Sequence, residues 1–79
     1  MTEMDIRKKV KEFCDELLIH DAWMWRDTCS EIVDNFDYQL PSYVIGTEDE
    51  YVIKGAMKTG QKIELTRASD GWAILWGKP

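Results

Sequence analysis

Apolar residues recur at helical spacing in the first half of the chain and alternate in the second. Ile6, Val10, Phe13, Cys14 and Leu17 follow one another at intervals of 4, 3, 1 and 3 residues. At 100° per residue they stay within about 100° of arc, which predicts a helix over about 3–19 with one core-facing stripe. Thr2-Glu3-Met4-Asp5 has the form of a capping box ahead of it. A second helix over about 22–36 carries Ala22, Trp25, Cys29, Ile32, Val33 and Phe36 on its stripe, with Asp21 as its N-cap. Joined near His20-Asp21, the two form an αα-hairpin that can cover one face of a sheet.

Past Asp37 the period changes. Pro41 ends any helix, because it lacks the amide hydrogen and clashes with the preceding turn. Four strands are predicted over about 43–45, 51–57, 61–68 and 72–76, separated by the turn 46–50 and by the hairpin loops 58–60 and 69–71. A three-residue loop with Gly60 at positive φ pairs residues whose numbers sum to 118. Ile53 then faces Leu65, Gly55 faces Ile63, Lys54 meets Glu64 as an opposite-charge pair, and Tyr51 and Met57 share one side. Two registers are open for the last hairpin. An Asp70-Gly71 two-residue turn pairs residues summing to 141 and sends Trp72, Ile74 and Trp76 to the core. A Ser69-Asp70-Gly71 loop slips the strand by one residue and turns those side chains to solvent. The Asp-Gly signal favours the core-facing register.

The resulting expectation is an α+β, two-layer fold: an N-terminal antiparallel helix pair on a three- to four-stranded antiparallel β-meander, all in a single domain 1–79. The 44% hydrophobic content and nine aromatics fit a packed core rather than a disordered chain. No apolar run resembles a secretory leader or approaches the roughly 20 residues of a spanning helix. Cys14 and Cys29 stand fifteen apart, outside any C-x-x-C pair. The expectation is therefore a cytoplasmic protein with reduced thiols and no membrane partner.

Charge adds a location. The net charge of −5 resolves into +2 over 1–11, −10 over 12–50 and +3 over 51–79. Asp27, Glu31 and Asp34 are spaced 4 and 3 and so form one acidic helical ridge. A solvated face that keeps a small protein soluble is one reading of this charge. The functional reading is an anionic surface that docks a basic partner protein, as in inhibitors that occupy a phosphate-binding groove. Trp23, off the helix stripe on the acidic side, is the expected anchor, because a large rigid ring gains contact area at low entropic cost. Asp37 and Tyr38 extend the same face.

Other chemistries find little support. One histidine, His20, and two cysteines on apolar stripes make neither a zinc site nor a nucleophile pair, and no phosphate-binding or nucleophile-elbow motif occurs. A non-enzymatic protein with no metal and no cofactor is expected. The competing reading is nucleic-acid binding through the C-terminal hairpins, where Lys54, Lys58, Lys62 and Arg67 alternate with aromatics. The acidic half opposes it. A homodimer burying Trp72 or Trp76 is a third reading, for a structural or adaptor role.

Overall fold

The computed structural model describes residues 3–78, with the side chains of Glu3, Met4 and residues 21–23 left out. Helical backbone runs without interruption over α1, Glu3–Asn35, yet it is not one rod. A straight helix of that length would span about 50 Å, whereas the longest dimension of the molecule is 29 Å. The Cys14 Sγ also lies 4.0 Å from the Cys29 carbonyl oxygen, fifteen residues away. The chain therefore doubles back around residues 21–22 into two antiparallel helical arms. The expected pair is present, and the connection at His20-Asp21 is itself helical rather than a capped loop. The Thr2 capping box and the Asp21 side chain lie outside the described residues.

Four strands follow: β1 (Tyr43–Gly46), β2 (Tyr51–Ala56), β3 (Lys62–Ala68) and β4 (Gly71–Trp76). They pair antiparallel in chain order. The β2–β3 register sets Ile53 against Leu65, Lys54 against Glu64 and Gly55 against Ile63, as the loop argument required. Gly60 takes φ 94° in that loop.

The β3–β4 register needs correction. Leu65 pairs with Ile74 and Ile63 with Trp76, so the sum is 139 rather than 141. A type I′ turn over Asp70-Gly71 needs positive φ at both residues. Among the described residues, only glycines adopt it. The chain instead turns over Ser69 and Asp70, and Gly71 absorbs the positive φ (150°) as the first strand residue. A shift of two residues conserves side-chain parity, so Trp72, Ile74 and Trp76 remain on the helix side. Trp72 and Ile74 pack against the core, while Trp76, at the end of the strand, is exposed.

The core is a sandwich of both arms on one sheet face. Ile6, Val10, Phe13, Cys14 and Leu17 come from the first arm, and Cys29, Ile32 and Phe36 from the second. Tyr51, Ile53, Met57, Ile63 and Leu65 rise from the sheet to meet them. Val33, expected on the stripe, is exposed at its edge beside the first arm. The second arm is tied directly to the end of β2. Phe36 bridges Met57, the Asp37 amide donates to the Ala56 carbonyl at 2.8 Å, and the Lys58 amide donates to the Asn35 carbonyl at 2.7 Å.

Candidate protein-docking face

The second arm points Cys29, Ile32 and Phe36 into the core. At 100° per residue, Asp27, Glu31 and Asp34 then lie roughly 170–230° away, on the outer surface. All three are exposed, and none forms an ion pair among the described residues. Three carboxylates thus line the outside of one helix over about 10 Å. The tie between Asn35 and Lys58 fixes the direction in which this ridge points. Lys58 also donates through its ammonium to the Asp34 carbonyl at 3.2 Å, placing positive charge at the helix C-terminus where the dipole favours it.

Asp37 and Tyr38 sit at the end of the ridge, and both are partly engaged. Asp37 accepts the Gln39 amide at 3.0 Å. Tyr38 is half-buried, its ring centroid 5.0 Å from that of Phe36 and 4.2 Å from the Arg7 guanidinium carbon above it. Its hydroxyl donates to the Val33 carbonyl, and burial pushes its phenol upward. Tyr38 therefore packs on one side and borders the acidic face with the other. The Trp23 side chain lies outside the described residues. Its exposed neighbours Ile19 and Met24 give the hairpin tip an apolar character that the charge pattern did not indicate.

The basic residues of the competing reading do not gather on one surface. Lys54 and Lys62 lie on the outer face of the sheet by strand parity, and Arg67 lies on the helix side. Lys54 pairs with Glu64 at 3.3 Å. Arg67 makes an ion pair with Glu16 and donates to the Asp49 carbonyl. With Lys58 at the helix end, three of the four cations are engaged inside the molecule. The basic N-terminal turn is similarly used. Lys9 pairs with Glu12 at 2.9 Å and stands 4.0 Å above the Tyr51 ring, and Lys11 pairs with Asp15 at 3.4 Å.

The remaining titratable groups are arranged for packing. Both cysteines are free, buried, and lie between the arms. Desolvation pushes both thiols upward, which disfavours the nucleophilic thiolate. His20 stacks on Trp72 with centroids 4.4 Å apart, at the mouth of a 440 Å³ cleft shared with Asp49, Glu50, Arg67 and Asp70. The Tyr51 hydroxyl and the Trp72 Nε1 are buried without a hydrogen-bond partner among the described residues. No three His, Cys, Asp or Glu side chains among those residues converge as a metal site requires. No described helix is long and apolar enough to cross a membrane. No protein-family model matches the chain, and comparison with curated proteins and with solved structures returns no match.

Proposed function

We propose that this chain is a protein-binding module that docks a basic partner through the outer face of its second helical arm. The observation that carries this reading is the exposed ridge of Asp27, Glu31 and Asp34, none of them in an ion pair among the described residues, on a molecule that engages Lys9, Lys11, Lys54 and Arg67 in ion pairs of its own. Negative charge left unpaired on a rigid surface steers a cationic partner and selects it by complementarity. The specific form of the proposal is an inhibitor or regulator of a nucleic-acid-handling enzyme. Such enzymes present cationic grooves built for evenly spaced phosphates, and a row of helical carboxylates can occupy one.

The test is an amide-resolved NMR titration with a lysine- and arginine-rich peptide, alongside a labelled single-stranded oligonucleotide. Peptide-induced shifts should cluster on residues 27–37 and vanish in the Asp27→Asn, Glu31→Gln, Asp34→Asn variant. Shifts confined to the 48–50 turn, or unchanged in that variant, overturn the assignment of the face. Micromolar oligonucleotide binding at about 50 mM salt overturns the reading in favour of nucleic acid.

A further inference from the structure

The side of the sheet away from the helices carries its own pattern. By strand parity it presents Tyr43 and Ile45 from β1, Val52, Lys54 and Ala56 from β2, Lys62, Glu64, Thr66 and Ala68 from β3, and Ala73 and Leu75 from β4. Three large apolar residues stand open there: Tyr43 is 52% exposed, Ile45 51% and Leu75 55%. Scattered singly they would need no explanation. Here they frame two cross-strand rows. One row reads Tyr43, Lys54, Glu64, Leu75, and the next reads Ile45, Val52, Thr66, Ala73.

We infer that this face is a homodimer interface, closed by a second copy of the same chain about a twofold axis running along the strands between β2 and β3. Such an axis reverses the order of each row on the facing copy. Tyr43 then lies over Leu75 of the other copy and Leu75 over Tyr43. Lys54 lies over Glu64 and Glu64 over Lys54. In the next row Ile45 covers the small Ala73, and Val52 covers Thr66. The first row thus matches apolar with apolar and opposite charge with opposite charge under one operation. A basic or an acidic partner finds no such match, because the strand positions of this face hold only Lys54, Lys62 and Glu64 as charges.

The area fits the same occupant. Four strands spaced about 4.8 Å apart and six residues long give a face of about 20 by 20 Å. With side-chain relief this is on the order of 600 Å² per copy, a little below the roughly 800 Å² per partner of a standard stable interface. Aligned sheet-on-sheet packing is the common way to close such a face. The acidic ridge stays on the opposite side of each copy, so dimerisation would present two ridges facing outward.

Sedimentation velocity of the wild-type protein at micromolar and at millimolar concentration should show a monomer–dimer equilibrium. Leu75→Lys, at an exposed position, should weaken dimerisation about a hundredfold without loss of the far-ultraviolet helical signal. The decisive arm uses Lys54→Glu and Glu64→Lys. Each variant alone faces like charge across the axis and should remain monomeric. Mixed together they should form a heterodimer, since one face then carries two carboxylates and the other two ammoniums. Mixing leaves the like-charge pair inside each chain unrelieved, so rescue can only come from contact between chains. A wild-type chain that stays monomeric at millimolar concentration overturns the inference. So does a dimer that survives Leu75→Lys, or a mixture that stays monomeric. Loss of the basic-peptide shifts at residues 27–37 does not touch this outcome, so the two proposals fail separately.

Discussion

Gly55→Ala tests how the acidic arm is seated on the sheet. Gly55 pairs with Ile63 and points at the helix side, directly under Phe36. A Cβ at this position would stand 2.4 Å from the Phe36 Cζ and 3.1 Å from both Cε atoms. Phe36 is fully buried, so its ring cannot swing into solvent and must push the end of the second arm away from β2. That segment is held by the Asp37–Ala56 and Lys58–Asn35 hydrogen bonds. Overpacking of this kind costs about 1–3 kcal/mol. Replacing a strand glycine returns roughly 0.5–1 kcal/mol through lower chain entropy. A net loss of about 1–2 kcal/mol lowers the melting temperature of so small a protein by roughly 5–15 °C.

Urea unfolding followed by circular dichroism measures this directly, and a double-mutant cycle identifies the cause. Phe36→Leu alone removes buried ring atoms and should cost about 1–3 kcal/mol as a large-to-small core change. In that background the Cβ has room, and Gly55→Ala should become neutral or slightly stabilising. The expected coupling is about 1–2 kcal/mol, within the range for residues in contact. Equal stability of wild type and Gly55→Ala would refute the account of a ring seated on the glycine. A coupling near zero would show that any loss arises elsewhere in the strand.

Other outcomes follow from the same geometry. Lys58→Met removes the ammonium at the helix C-terminus but leaves the backbone tie, and should cost about 0.3–1 kcal/mol in the same urea assay. Tyr51→Phe deletes a buried, unpartnered hydroxyl, so the urea midpoint should stay level or rise; a loss above about 1 kcal/mol would mean the hydroxyl makes a bond of value. Burial raises the thiols of Cys14 and Cys29, so the unfolded chain releases those protons first as pH rises past its value of 9.0. Their contribution is therefore complete below about pH 9 and is lost as pH climbs toward the folded values. Urea midpoints at pH 8 and pH 10 should show the drop, and the Cys14→Ala, Cys29→Ala variant should lessen it, leaving the part due to Tyr38 and Tyr51, whose phenols burial also raises.

Much of the fold was legible because its signals are periodic. The stripe of Ile6, Val10, Phe13, Cys14 and Leu17 fixed one helix face, and the Lys54–Glu64 pairing fixed the central register. The last turn sits one residue earlier than Asp70-Gly71 predicts, which shifts the register by two, because the strong local preference of that dipeptide yields to the strand pairing. The partial burial of Tyr38 was not legible for a different reason. Its burial depends on Phe36 and Arg7, which approach it through tertiary packing rather than through sequence spacing. The outer sheet face could have been found in advance, since alternation and register together place Tyr43, Ile45 and Leu75 on one side. In β4 the larger Trp72 and Trp76, on the opposite side, dominate the apolar pattern and obscure that signal.

The meander has one more consequence, for the order of assembly. Each strand pairs with its chain neighbour across a short turn, so the sheet forms by closing small loops. The contact from Asn35 to Lys58 must close a much longer segment. Contacts of short sequence separation are reached first in a folding search. The expected outcome in stopped-flow folding is a high φ-value in the hairpins and a low one for the docking of the second arm. Substitutions in the 58–60 turn will slow folding, whereas those beneath Phe36 will chiefly speed unfolding. The surface that presents the acidic ridge is then the last part of the molecule to be set in place and the first to be released.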